Sequence, residues 1–148
     1  ETDGKVIIWA VYRYDIQEIE RTLGEKYGKE SVATYYGDTK DNLRQSIVDR
    51  FMDADDDLRF FVGNPKTGGY GLTLTSSHTV VYYSNDYSLE VRLQSEDRAH
   101  RIGQTSKVTY VDLMADHTID EKIVKALNAK IDLASQVMGE DPKKILFG

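Results

Sequence analysis

Short apolar runs alternate along the chain with segments whose apolar residues recur at helical spacing. Residues 6–11 form a run rich in β-branched residues, and Ile16, Ile19 and Leu23 then recur with a helical period before Gly24 and Gly28. Leu43, Ile47 and Phe51 mark the apolar face of a second helix. The pattern predicts strands at residues 6–11, 31–36, 58–62, 79–83 and 108–113, with a third helix over roughly residues 88–101.

The predicted strands are largely apolar and do not alternate cleanly with polar residues. Such strands are typical of a sheet that is covered on both faces, so the fold class is α/β with a mainly parallel sheet between two layers of helices. A last helix over about residues 118–138 is indicated by Thr118 and Glu121 in capping-box spacing, followed by an apolar stripe. The stripe contains Ile123, Leu127, Ile131, Ala134 and Met138.

Composition narrows the class of protein. The chain has 148 residues, 40% of them hydrophobic, which is enough for one domain with a core. It contains no cysteine, which fits a reducing compartment, and its 3 histidines are too scattered to suggest a metal site. No apolar run approaches the roughly 20 residues that span a bilayer, so we expect a soluble protein without membrane contact. The net charge of -6 argues against binding nucleic acid by bulk charge.

The loop after the third strand is rich in glycine. Residues 63–75 read GNPKTGGYGLTLT, and ligands of parallel α/β sheets bind at the carboxyl ends of the strands. Glycines let an anion approach the backbone, although a tight structural turn would use the same residues. The loop does not contain the Walker A pattern G-x-x-x-x-G-K-[ST], in which a lysine follows the last glycine, so it does not predict a phosphate-binding loop of that kind.

The helix after the fourth strand contains the stretch LQSEDRAHRIGQ. Helical spacing brings Gln94, Arg98 and Arg101 to one face. One interpretation is a solvated face with weak ion pairs. The other is a pair of guanidinium groups that stabilise the charge of a transferring phosphoryl group, because arginine stays protonated and presents a planar fork of donors. We interpret His100 as structural.

The motifs resemble those of the Swi/Snf-type helicase-like ATPases. SEDRAHRIGQ is similar to motif VI of that family, and KTGGYGLTLTSSHTVVYYSNDYS to motif V and its extension. KVIIWAVYRYDIQEIERTL is similar to the motif IV strand and helix, YYGDTKDNLRQSIVDRF to the next block, and DHTIDEKIVKALNAKIDLASQVM to the closing helix. The chain departs from the family at SNDYS, where an aspartate-tryptophan-asparagine-proline run is usual, and at GNPKTGG. The resemblance implies a single C-terminal RecA-like lobe over residues 1–148, a three-layer sandwich with a C-terminal bracing helix.

The resemblance also implies partners and site residues. The partners would be an N-terminal RecA-like lobe of the same protein, absent from this chain, and double-stranded DNA; ATP with Mg²⁺ would bind mainly to that other lobe. Arg98 and Arg101 would be catalytic, reaching the ATP across the cleft, with Arg101 as the main arginine finger. The remaining roles would fall to Gly71, Thr73 and Gln94 near the nucleotide, and to Gly37, Thr39, Lys66, Thr67 and Gly68 along the DNA track.

Three functions remain open at this point. The leading one is the C-terminal lobe of an ATP-dependent, double-stranded-DNA translocase of the chromatin-remodelling type, located in the cytoplasm or nucleus, with the isolated lobe monomeric and inactive. The alternatives are a non-enzymatic DNA- or protein-binding module of the same fold and the lobe of an RNA helicase. Arginines in the finger positions favour the ATPase.

Overall fold

The structure, a computed structural model, describes residues 4–67, 72–84, 88–100, 104, 107–113 and 119–138. Strands and helices alternate along these ranges. In chain order they are β1 (Lys5–Trp9), α1 (Arg13–Tyr27), a 3₁₀ turn (Lys29–Ser31), β2 (Val32–Tyr35), α2 (Asp41–Met52), β3 (Phe60–Gly63), β4 (Ser77–Tyr82), α3 (Leu89–Asp97), β5 (Thr109–Asp112) and α4 (Ile119–Met138).

The described strands form one sheet in the order β2-β3-β1-β4-β5. Every pairing is parallel. On the central strand β1, Ile7 lies between Phe61 of β3 and Val80 of β4. The carboxyl ends of all five strands therefore meet at one edge, which also carries the loops that follow them. The predicted parallel α/β architecture is confirmed.

Helices cover both faces of the sheet. On one face, α1 packs Ile16 against Val6 and Val62. On the other, Phe51 of α2 packs with Trp9 and Phe61, and the segment entering β4 adds Leu72 and Leu74. The result is the predicted three-layer sandwich, in which the apolar cores lie between the sheet and the helices.

Two helix ends differ from the sequence prediction. The first helix passes through Gly24 and ends at Tyr27, with Gly28 as its C-cap, whose φ of 96° places it in a region that favours glycine. The third helix was predicted over 88–101 but ends at Asp97, with Arg98 as its C-cap. At this end the amides of Ala99 and His100 both donate to the Glu96 carbonyl, which tightens the last turn. Ser88 caps the start of α3 by accepting from the Val91 amide at 3.3 Å.

The last helix packs against α3. Ile123 and Leu127 of the predicted apolar stripe are buried, as is Val124, which the stripe did not include, while Leu133 is 61% exposed. Thr118, the predicted cap, lies outside the described residues. Among the helices described, none combines the length and apolar character needed to cross a bilayer.

Candidate functional site

Asn64 connects three loops at the carboxyl edge of the sheet. Its amide Nδ2 donates to the Val11 carbonyl after β1 at 3.1 Å, and its backbone amide donates to the Tyr35 carbonyl of β2 at 3.1 Å. Its side-chain oxygen accepts from the Lys66 amide at 2.9 Å, and the Thr67 amide donates to its carbonyl at 3.0 Å. Asn64 thus holds the backbone of two residues that the sequence analysis assigned to DNA binding. The Asn-Pro pair at 64–65 is a turn signal that could have identified it.

The turn after β2 contains the predicted contacts Gly37 and Thr39. The Thr39 hydroxyl donates to the Thr34 carbonyl at 3.1 Å and accepts from the Tyr36 amide at 3.1 Å. This hydroxyl therefore shapes the turn and its hydrogen is already committed within the protein. Gly37 is exposed at the outside of the same turn.

Arg44, which the sequence analysis did not single out, braces this turn from α2. Its guanidinium donates to the carbonyls of Thr39 at 3.2 Å and Tyr36 at 3.3 Å, and it lies 5.5 Å from the centroid of the Tyr35 ring. Two carbonyls and a ring fix the guanidinium from different sides. The turn consequently has a defined conformation at the edge where a ligand would bind.

A salt bridge joins the start of α1 to the same turn. Arg13 Nη2 lies 2.9 Å from Asp38 Oδ1, and the two side chains are 64% and 48% exposed. Ion pairs this exposed contribute little to stability. Arg13 therefore offers a positive charge to solvent at the carboxyl edge, with Asp38 as its present partner.

Arg98 is buried, in contrast to the arginines at the surface. Its exposed fraction is 4%, and Cζ lies 5.8 Å from the centroid of the Trp9 ring at the end of β1. Its carbonyl accepts from the Leu74 amide at 2.8 Å. The interpretation of a solvated helix face does not hold for Arg98. Its main chain therefore contacts the part of the loop after β3 that leads into β4.

Of the other predicted residues in this helix and loop, Gln94 and Thr73 lie within the described residues. Gln94 is half-buried and donates from Nε2 to Glu90 Oε1 at 3.4 Å along α3. Thr73 lies between the buried residues Leu72 and Leu74. Arg101, Gly68 and Gly71 belong to the ranges that the structure does not describe.

Arg92 forms a buried ionic cluster that the sequence analysis missed. Its guanidinium donates to both carboxylate oxygens of Asp112 in β5, at 2.6 and 3.0 Å, and stacks 3.5 Å from the centroid of the Tyr82 ring. Nε also lies 3.6 Å from Glu96 Oε1. Because Arg92 is only 10% exposed at its side chain, these contacts clamp α3 onto β4 and β5.

Burial sets the protonation states of this cluster. Desolvation raises the pKa of the Tyr82 hydroxyl well above its ordinary value, and the hydroxyl lies 2.8 Å from Ser95 Oγ. Burial by itself would lower the pKa of Arg92, but the Asp112 hydrogen bonds and the charges nearby raise it overall. Arg92 and Tyr82 therefore both remain protonated at neutral pH.

Gln104 bridges the segment after α3 and the segment before β4. Its amide Nε2 donates to the carbonyls of Ala99 at 2.9 Å, Thr75 at 3.0 Å and Ser77 at 3.2 Å. Three carbonyl oxygens around one atom identify that atom as the amide nitrogen. The sequence analysis included Gln104 in the motif but assigned it no role.

The fold is that of a RecA-like α/β lobe, because a five-stranded parallel sheet lies between helices. The loop after β3 contains glycines, and a buried arginine follows α3. Residues 1–103 match the helicase conserved C-terminal domain, and the chain belongs to that family. The resemblance drawn from the motifs is confirmed.

Similar proteins include several ATP-dependent helicases. The chain is 32% identical to the ATP-dependent helicase fft2 of Schizosaccharomyces pombe over 98% of its own length and 11% of the relative's. It is 36% identical to the SWI/SNF chromatin-remodeling complex subunit snf22 of the same organism over 69% of its length and 6% of the relative's. Helicase SWR1 of Saccharomyces cerevisiae is 36% identical over 70% of the chain and 7% of the relative. The chain thus spans only a small part of these relatives.

A solved structure has the same fold. The crystal structure of the C-terminal part of the Fun30 ATPase domain superimposes with a TM-score of 0.75 at 29% identity, covering 84% of this chain and 39% of that one. The RecA-like fold is therefore shared with part of an ATPase domain.

Proposed function

We propose that this chain is the C-terminal lobe of an ATP-dependent translocase on double-stranded DNA and supplies Arg98 and Arg101 to ATP held by an N-terminal lobe. The names of the relatives place such lobes in ATP-dependent helicases and in a chromatin-remodelling complex, which supports a nuclear role for the whole protein. Gln94 and Thr73 would lie on the side of the lobe that faces the nucleotide. The isolated lobe would be monomeric and inactive.

The buried position of Arg98 is the observation that carries the proposal. Removing a guanidinium from water costs free energy, which a surface arginine on a solvated helix avoids. The lobe nevertheless holds Arg98 at 4% exposure, with the main chain fixed to Leu74 and the side chain beside Trp9. A fixed, permanently charged fork of donors suits the charge that develops on a transferring phosphoryl group.

The arginines would act on the transition state. Arginine fingers accelerate phosphoryl transfer by about 10³- to 10⁵-fold in well-studied cases, or about 4–7 kcal/mol. Most contacts to ground-state ATP, and those to Mg²⁺, would come from the other lobe. Among the residues described here, no three Asp, Glu or His side chains converge as they would around a metal ion.

The carboxyl edge of the sheet would form this lobe's part of the DNA track. Asn64 fixes the backbone of Lys66 and Thr67, and Arg44 fixes the turn at Gly37 and Thr39. Backbone amides and basic side chains hold phosphates without reading the base sequence. Gly68 is proposed as a member of this track from its sequence position.

The proposal is tested by the DNA-stimulated ATPase activity of a protein that carries both lobes. Arg98→Ala should lower kcat by about 10³-fold while the KM for ATP changes only a few-fold, and Arg98→Lys should restore little because the planar fork is lost. Arg101→Ala should have an effect of similar size. Arg21→Ala removes an arginine that is 56% exposed on α1 and serves as the matched control. Turnover within about threefold of wild type in a folded Arg98→Ala protein would refute the role of Arg98.

A further inference from the structure

We propose that Gln104 is a positioning residue for Arg98: its side-chain amide fixes the end of α3 against the segment that enters β4, and so sets the place from which the Arg98 guanidinium acts. The inference rests on the proposed function, because it assumes that Arg98 reaches the nucleotide. It assigns to Gln104 a role in the rate of the reaction and not in the binding of ATP.

The carbonyls at the end of α3 are bound from outside the helix. A helix leaves its last carbonyls without intrahelical donors, and each needs another partner. Here two consecutive carbonyls have partners from two different segments, one before β4 and one after α3. The Arg98 carbonyl accepts from the Leu74 amide at 2.8 Å, and the Ala99 carbonyl accepts from Gln104 Nε2 at 2.9 Å.

Gln104 extends the second of these contacts to the entry of β4. The same nitrogen donates to Thr75 at 3.0 Å and to Ser77 at 3.2 Å, and Ser77 is the first residue of β4. Ser77 is fully buried and pairs with Lys5 of β1. One amide therefore connects the residue after Arg98 to the buried first residue of β4.

Loss of this amide would remove the hydrogen bond to the Ala99 carbonyl, directly after Arg98. The Leu74 contact would remain, so the helix would stay in place but its end would gain freedom. A displacement of about 1 Å at a catalytic group can lower a rate by about 10²-fold. Ground-state ATP, held mainly by the other lobe, would be bound as before.

The test uses Gln104→Met in the two-lobe protein, because methionine has a similar length and no N–H donor. We expect kcat to fall by about 10- to 100-fold with the KM for ATP within about twofold. The matched control is Gln45→Met, which removes an exposed amide hydrogen bond to Asp49 on α2 and should leave kcat unchanged. A kcat for Gln104→Met within about twofold of the control would overturn the inference.

A double variant distinguishes positioning from a general loss of stability. If Gln104 acts through Arg98, adding Gln104→Met to Arg98→Ala should lower kcat by less than about twofold further. If Gln104→Met lowered kcat as much in Arg98→Ala as in the wild type, the inference would be overturned, since Gln104 would then act independently of Arg98. If instead Arg98→Ala itself left turnover near normal, the proposed function would fail, which is a separate result.

Discussion

Helices α1 and α3 each carry an arginine four residues before a glutamate, yet the two arginines occupy opposite environments. Arg21 on α1 is 56% exposed and pairs with Glu18 at 2.8 Å and Glu25 at 3.2 Å. Arg92 on α3 is 10% exposed, is bonded to Asp112 and stacks on Tyr82. The difference teaches that burial and neighbouring groups decide how much an arginine contributes to the stability of the fold. The spacing of charges along the helix does not decide it.

Breaking the buried pair should have the largest effect on stability. Arg92→Met leaves Asp112 without its bidentate partner in a partly buried place, and we expect the free energy of unfolding to fall by about 2–4 kcal/mol. Urea unfolding of the two-lobe protein followed by circular dichroism measures it. Replacing Asp112 by asparagine as well should cost less than the sum of the single changes, because the pair is lost only once. If Arg92→Met changed the free energy of unfolding by less than about 0.5 kcal/mol, Arg92 would be no more important for stability than Arg21 of α1.

Alkaline pH should lower the free energy of unfolding through the hydroxyl of Tyr82, which is buried beneath α3. Burial raises the pKa of its hydroxyl, so the unfolded chain loses this proton first as pH increases. The stabilisation is fully present below the unfolded pKa of about 10, and declines above it by about 1.4 kcal/mol per pH unit until the folded pKa is reached. Urea unfolding between pH 8 and 11 should therefore have a shallower pH dependence in Tyr82→Phe. Equal slopes in the two proteins would contradict the buried state of this hydroxyl.

A smaller effect is expected where α1 meets the proposed DNA track. Asp38 pairs with Arg13, and a DNA phosphate would compete with this carboxylate for the guanidinium. Asp38→Asn should raise the affinity of the two-lobe protein for duplex DNA by about two- to fivefold at low salt. Asp49→Asn, which removes the same charge from an exposed position on α2, is the control for net charge. An equal gain in both variants would show that Asp38 has no local role.

The smallest effect belongs to Arg21. Both of its partners lie on the same exposed helix face, so Arg21→Ala should change the free energy of unfolding by no more than about 0.5 kcal/mol. Urea unfolding at two salt concentrations measures this change. If Arg21→Ala lowered the free energy of unfolding by more than about 1.5 kcal/mol, the exposed pairs of α1 would stabilise the fold as the buried pair of α3 does.

The sequence predicted the sheet and its two layers because strands and helices there are encoded by local apolar spacing. It missed the partner of Arg92, since Asp112 is separated from it by 20 residues and neither charge identifies the other. The end of α3 was wrong for a related reason: the carbonyls of Arg98 and Ala99 are bound by Leu74 and Gln104, contacts that helical periodicity does not report.

The central claim, that buried Arg98 acts on a developing phosphoryl charge while the exposed Arg21 does not, is tested most directly with a transition-state analogue. Calorimetry would measure the binding of ADP with aluminium fluoride, and separately of a non-hydrolysable ATP analogue, to DNA-bound two-lobe protein. In Arg98→Ala we predict at least about a 10²-fold loss of affinity for the transition-state analogue and a change of only a few-fold for the ATP analogue. Arg21→Ala should bind both as wild type does. Equal affinity of Arg98→Ala and wild type for the transition-state analogue would contradict the account.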